Sequence, residues 1–177
     1  TIYSNNFSFA ALKEDGSVVT WGDSNVGGDS SNVAAELSGV STIYSNSDAF
    51  AALKEDGSVV TWGNGGFGGN SSSVASELSS GVSTIFTSGG AFAALKDDGS
   101  VVTWGESDQG GDSSSVASAL SSGVTTIYSN VYAFAALKQD GSVVTWGSSN
   151  NGGNSSGVAS ELSSGVIEIF STWSAFA

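Results

Sequence analysis

The chain has no cysteine, histidine, methionine or proline, and its four basic residues are all lysine. Each absence removes a class of function. Without cysteine there are no disulfides and no thiolate metal sites, so cysteine usage leaves the redox compartment open. Without histidine the many serines have no imidazole base to activate them as nucleophiles. Seventeen acids against those four lysines leave a net charge of −13. Phosphate recognition needs clustered Lys and Arg, so nucleic acid is excluded as a partner, and an anionic membrane surface is disfavoured. No apolar run approaches the ~18 residues of a spanning helix, so membrane insertion is not expected, and no signal peptide is visible. The chain opens inside a repeat at Thr1, without methionine, and reads as a processed product or an excerpt of something longer.

What is present is repetition. "AALKEDGSVVTWG" runs from Ala10 to Gly22 and returns almost unchanged at Ala51, Ala93 and Ala135. The chain divides into units 1–41, 42–83, 84–125 and 126–167 and a partial unit 168–177, together one repeat domain over 1–177. A period of about 42 residues points to a propeller, solenoid or array, in which each unit buries its apolar surface only against neighbours. With 39% hydrophobic residues, a folded core is expected.

Each unit reads as three strands, Thr42–Ser45, Ala49–Asp56 and Gly57–Gly63 in the second. Asp-Gly joins the last two strands at Asp15-Gly16, Asp56-Gly57, Asp98-Gly99 and Asp140-Gly141, and predicts a type I′ hairpin turn. The next segment, "SSSVASELSSGV" (Ser71–Val82), places Val74 and Leu78 four apart and Gly81 at a helix C-terminal position. It predicts a helix of one to two turns, with counterparts near Val33–Leu37, or else an outer strand. Trp21, Trp62, Trp104 and Trp146 adjoin valines and are expected as wedges between successive sheets; the alternative is an exposed sugar-stacking platform. The fold class is therefore mainly β: tandem three-stranded antiparallel meanders, each with a short helix or outer strand. The expected architecture is β-propeller-like, with an open arc or solenoid as the alternative.

Those residues resemble the repeat of the regulator of chromosome condensation family, whose members form β-propellers. The resemblance is carried in the second unit by Leu53, Asp56-Gly57, Val59-Val60, Trp62-Gly63 and Gly68, and it recurs in all four units. Asn46 and Ala49 stand where that family carries glycine and histidine, and "GGNS" (Gly68–Ser71) replaces its Gly-Gln-Leu-Gly. The units are shorter and fewer than the family norm. Its nucleotide-exchange and chromatin activities do not carry over, because no basic surface exists and the matched motifs are structural.

Chemistry is hard to place. Lys54, Glu55 and Asp56 sit at a hairpin turn, a solvated location rather than a cleft. "DSNVGGD" (Asp23–Asp29) and "ESDQGGD" (Glu106–Asp112) space oxygen ligands as calcium loops do. The equivalent "NGGFGGN" and "SSNNGGN" have no carboxylate, so no metal or other cofactor is assigned. Asn6-Phe7-Ser8, Asn70-Ser71-Ser72 and Asn154-Ser155-Ser156 are glycan acceptors only in a secreted eukaryotic setting.

Variation between units concentrates in Asn5–Ser8 and Asp23–Val26 with their equivalents, which a meander places at one end. The candidate binding residues are accordingly Phe7, Asp48, Phe67, Tyr132 and Trp173; the rival explanation is drift in loops that carry no packing. The expected function is a non-enzymatic structural or interaction module, extracellular or at the cell surface, within a longer array. Its expected partners are proteins or further copies of itself. The alternative is a propeller that binds carbohydrate or adheres with the help of calcium; an intracellular regulatory propeller comes third. The segment 168–177 repeats the role of residues 1–10, so a closed four-unit ring would hold a redundant strand. Either that segment begins a fifth, unfinished unit or the units form an open arc or spiral, and the chain is expected to be an excerpt of a longer array or to associate end to end.

Overall fold

A computed structural model describes residues 1–177. Four three-stranded antiparallel sheets follow one another, each a meander in sequence order. They are β1 (Ile2–Ser4), β2 (Ser8–Leu12) and β3 (Val18–Gly22); β4 (Val40–Ser45), β5 (Ala49–Lys54) and β6 (Val59–Gly63); β7 (Val82–Thr87), β8 (Ala91–Lys96) and β9 (Val101–Gly105); and β10 (Val124–Ser129), β11 (Ala133–Lys138) and β12 (Val143–Gly147). The first strands β1, β4, β7 and β10 adjoin in turn, so the sheets stand side by side around a common axis as an open arc. Residues 168–177 fold back as a short hairpin. Ser171 bridges Phe176, and Phe170 and Ala177 exchange backbone hydrogen bonds, which places there the first two strands of a fifth sheet.

The middle strands are buried on both faces, which explains why "AFAAL" does not alternate apolar with polar. Small alanines let successive sheets approach, and large residues from the next sheet fill the gap. One such core joins Ala10 and Leu37 to Ile43, Phe50, Val60 and Trp62, and two equivalent cores follow along the chain. Trp62, Trp104 and Trp146 are the wedges between sheets. Each stacks on the phenylalanine opposite it on the neighbouring strand, with ring centroids 5.2 or 5.3 Å apart. Each also donates its indole N–H to a glycine carbonyl of the preceding unit: Gly27 at 3.1 Å, Gly68 at 3.1 Å and Gly110 at 3.0 Å. A buried indole needs such an acceptor. Trp21 departs from the expected wedge role: it lies in the first sheet of residues 1–177 and is left exposed.

One local expectation is corrected. The Asp-Gly turns are not type I′, because no residue other than glycine has a positive φ. Gly57 N–H donates to the Lys54 carbonyl and Lys54 N–H to the Ser58 carbonyl, while Gly57 alone is left-handed at φ 75°. This is a three-residue loop of a tight turn followed by a left-handed glycine. Asp56 stays right-handed because its carboxylate caps the turn, accepting from Ser58 N–H at 2.9 Å and from its hydroxyl at 2.6 Å. The outer-strand alternative gives way to the short helix: the serine-rich segment opens with a 3-10 turn, Ser31–Val33, Ser72–Val74, Ser114–Val116 and Ser156–Val158, and Leu78 N–H then donates to the Val74 carbonyl to carry it one turn further. It is too short to be stable by itself, and burial of Leu37, Leu78 and Leu120 between sheets holds it.

Candidate functional site

The two variable loops of each unit lie at one end, tied by a repeated backbone bond. Asp23, Asn64, Glu106 and Ser148 donate their N–H groups to the carbonyls of Phe7, Asp48, Gly90 and Tyr132. The lysine-containing turns lie at the other end of the strands. Within each loop pair one polar side chain acts as a clamp. Asn46 Oδ1 accepts from the N–H groups of Asp48 and Ala49, while its Nδ2 donates to the Phe67 carbonyl at 2.7 Å. Asn5 and Asn130 repeat this arrangement, and Ser88 bonds the Gln109 carbonyl and Ala91 N–H. The residue that follows each clamp continues into the next unit. Asn6 N–H donates to the Ser47 carbonyl, Ser47 to Gly89, Gly89 to Val131, and Val131 to Trp173, all amide to carbonyl. This ladder of main-chain bonds curves around the axis and fixes the loop end as one surface.

Inside the ladder lies a polar cavity of about 590 Å³ lined by residues of all four units and of the C-terminal hairpin, among them Ser45, Asn46, Ser88, Asn130 and Trp173. Asn5, Asn46 and Asn130 there are committed to the clamps, and no buried side-chain polar atom of the molecule lacks a hydrogen-bond partner. Of the five residues singled out from the sequence, Trp173 lines this cavity with its side chain largely in solvent. Phe7 is likewise exposed, and Asp48 and Tyr132 occupy the equivalent position in the second and fourth units, both part-buried. Phe67 lies on the outer loop and packs partly into the core between the second and third sheets. The structure thus brings Phe7, Asp48 and Tyr132 to corresponding places on one end, sets Trp173 nearer the axis, and turns Phe67 partly inward.

The carboxylates serve the backbone. Asp23 accepts from Asn25 N–H, Asp29 from Ser31 and Asp112 from Ser114, whereas Glu106 caps nothing. Nowhere do three or more acidic side chains gather as a cation site would require. At the opposite end Ser17 holds the Asp15 carboxyl down at about 2, through its hydroxyl first and its amide second. Ser58, Ser100 and Ser142 lower Asp56, Asp98 and Asp140 in the same way. Groups held ionised in this manner cap turns; they do not exchange protons near neutrality. Lysine completes the unit-to-unit ties, Lys96 Nζ donating to the Glu77 carbonyl and Lys138 Nζ to that of Ala119, each at 2.7 Å.

The clamp residues are the functional-end residues that the sequence reading missed. The signal was a small polar residue, Asn or Ser, at the same place in every unit.

No protein-family model matches the sequence, and no curated protein matches it. Solved structures do. A structure of Kap60 bound to yeast RCC1 (Prp20) matches with TM-score 0.55 and 18% identity over 83% of this chain and 41% of that one. The CRINKLY WD40 ectodomain of the Arabidopsis thaliana receptor kinase ACR4 matches with TM-score 0.52 and 19% identity over 82% of this chain and 48% of that one. Human WBSCR16 matches with TM-score 0.52 and 20% identity over 87% and 50%. The chain therefore spans about half or less of the structures it resembles. The likeness is one of fold: a β-propeller-like repeat architecture, as the resemblance to the regulator of chromosome condensation repeat implied.

Proposed function

We propose that the chain is a non-catalytic repeat module that binds proteins through its loop end, acting outside the cell or at its surface. One observation carries this reading: a main-chain ladder and identical clamps hold the loops rigidly, while the side chains they present differ from unit to unit. A fixed frame with varied tips is the arrangement binding surfaces use. The fold supports a protein partner, since one matching structure is that of yeast RCC1 (Prp20) bound to Kap60. The strongly acidic composition favours a partner with a basic surface. The test is cross-linking of the immobilised chain to captured proteins, with the linked sites mapped by mass spectrometry. Cross-links are expected near Phe7, Tyr132 and Trp173 and are lost in a Phe7→Ser, Tyr132→Ser, Trp173→Ser variant. Cross-links confined to the lysine-bearing turns would reject the loop end.

A second reading is favoured by the axial cavity. Its serine and asparagine lining with Trp173 beside it suits a carbohydrate, the indole stacking on a sugar ring. Binding on a glycan array that disappears with Trp173→Ser would promote this reading over the first.

A further inference from the structure

The large apolar side chains that stand in solvent are confined to the two ends of the arc. They are Ile2, Phe7, Phe9, Val19 and Trp21 in the first unit and Val158, Ile167, Phe170 and Trp173 near the last. Four of the first group have a specific identity. Between the first and second sheets the second contributes Ile43, Phe50, Val60 and Trp62 to the shared core. The same positions in the first unit are Ile2, Phe9, Val19 and Trp21, and they are 65, 42, 52 and 42% exposed. Phe9 and Trp21 are nonetheless already stacked, centroids 5.3 Å apart at 14°, as in the buried pairs. The inserting face is preformed, and within residues 1–177 it is left uncovered.

The other end carries the matching socket. Phe50 lies so close over Gly27 that a Cβ there would sit 2.6 Å from its ring, and Phe92 over Gly68 and Phe134 over Gly110 do the same. Over Gly152 the place is taken by Phe176, at 2.7 Å. The C-terminal hairpin thus supplies two of the four inserting residues, with Ile169 standing in for isoleucine and Phe176 for phenylalanine. The valine and tryptophan are missing, and a cavity of about 410 Å³ remains beside Val143, Gly152, Val158 and Leu162. No indole donates to the Gly152 carbonyl.

We propose that these two ends bind each other between copies. The first sheet of one chain seats on the fourth unit of a second chain, displacing residues 168–177. Trp21 Nε1 then donates to the Gly152 carbonyl, and Lys13 Nζ reaches the Glu161 carbonyl as Lys96 reaches that of Glu77. This interface already occurs three times within the chain, with the same residues and the same indole bond. The C-terminal hairpin is an incomplete internal occupant that competes with the full one. Head-to-tail contacts of this kind are heterologous, growing into rings or filaments. The net charge of −13 opposes the approach and is screened within about 8 Å at physiological salt, so added salt promotes assembly.

This inference rests on the reading of the chain as an interaction module and names one partner, a second copy. Its contacts are between sheet faces, and the hairpin it displaces carries Trp173 alone of the loop-end residues, so cross-links at Phe7 and Tyr132 survive its failure. Sedimentation velocity across concentration and salt is the measurement, with circular dichroism to verify folding. The Phe176→Ala chain, whose internal occupant has lost its anchor, is expected to assemble at lower concentration than the parent. Trp21→Ser is expected to weaken assembly by about thirtyfold or more, as loss of a central interface tryptophan does. Ile167→Ser, at a residue 92% exposed and outside both the socket and the hairpin, leaves assembly unchanged. A strictly monomeric Phe176→Ala chain, or assembly indifferent to Trp21→Ser, would overturn the proposal. Non-specific stickiness predicts that Ile167→Ser weakens assembly as much as Trp21→Ser, which also overturns it.

Discussion

A single side chain in this molecule is worth what its neighbouring unit makes of it. Trp104 and Trp21 are the same residue in the same local strand, yet the first is buried and bonded to Gly68 and the second is 42% exposed with no acceptor. Trp104→Ala should therefore cost about 3–5 kcal/mol, the range for deleting a large buried aromatic, and Trp21→Ala about 1 kcal/mol or less. Urea unfolding of the two variants measures the difference directly, and equal losses would mean that the indoles do not hold units together. The clamp obeys the same logic. Asn46→Ala leaves the buried Ala49 N–H and the Phe67 carbonyl without their partners and should cost about 2 kcal/mol. Because Ser88 makes both kinds of bond in the third unit, Asn46→Ser should recover much of that loss. If serine proves no better than alanine, the side-chain bonds are not what holds the loop.

At the scale of the element the hairpin turn is the most exacting piece. Gly57 combines a φ of +75° with a backbone approach that would put a Cβ 2.8 Å from Gly81 N, whereas Gly39 has a φ of +65° and open space around it. Gly39→Ala should cost about 1 kcal/mol of left-handed strain, and Gly57→Ala clearly more, since the turn must also move off the Gly81 backbone. Melting temperatures of the pair check this order. The turn aspartates add a pH dependence. Their folded pKa values lie below the ordinary one, so their contribution is fully present above about pH 4 and lost as the pH falls through the folded value, about 2 for Asp15. Melting temperature should drop across that window, and Asn in place of Asp15, Asp56, Asp98 and Asp140 should flatten the drop; an unchanged slope would refute the capping role. The position of these turns was legible in the sequence because Asp-Gly recurs between apolar runs. Their type was not, because it depends on whether Asp56 takes a positive φ or caps Ser58, and the capping bond decides that. The short helix was legible in the four-residue spacing of Val74 and Leu78, where Leu78 N–H donates to the Val74 carbonyl, but its opening 3-10 turn was not. The clamp left only a faint trace, a small polar residue at the same place in every unit, because it closes on a carbonyl 21 residues away; the axial ladder, made of main chain only, left none.

For the whole molecule, repetition makes stability a matter of neighbours. A unit flanked on both sides shares two of the cores that join successive sheets, and an end unit shares one. The burial of the middle strands records this: β5, β8 and β11 are covered along nearly their whole length, while β2 leaves Phe9 in solvent. The C-terminal hairpin holds its place through Ile169, Phe176 and one rung of the axial ladder. Local opening should follow the same order, since segments with few buried contacts and exposed backbone bonds open at the least cost. Amide hydrogen exchange in dilute solution should be slowest in β5 and β8, faster in β2, and fastest in residues 168–177. Raising the temperature should widen the gap between the centre and the ends before the chain melts as a whole. Protection that is uniform from β1 to β12 would show instead that the units unfold as one, and that the exposed Trp21 face is no weaker than the buried ones.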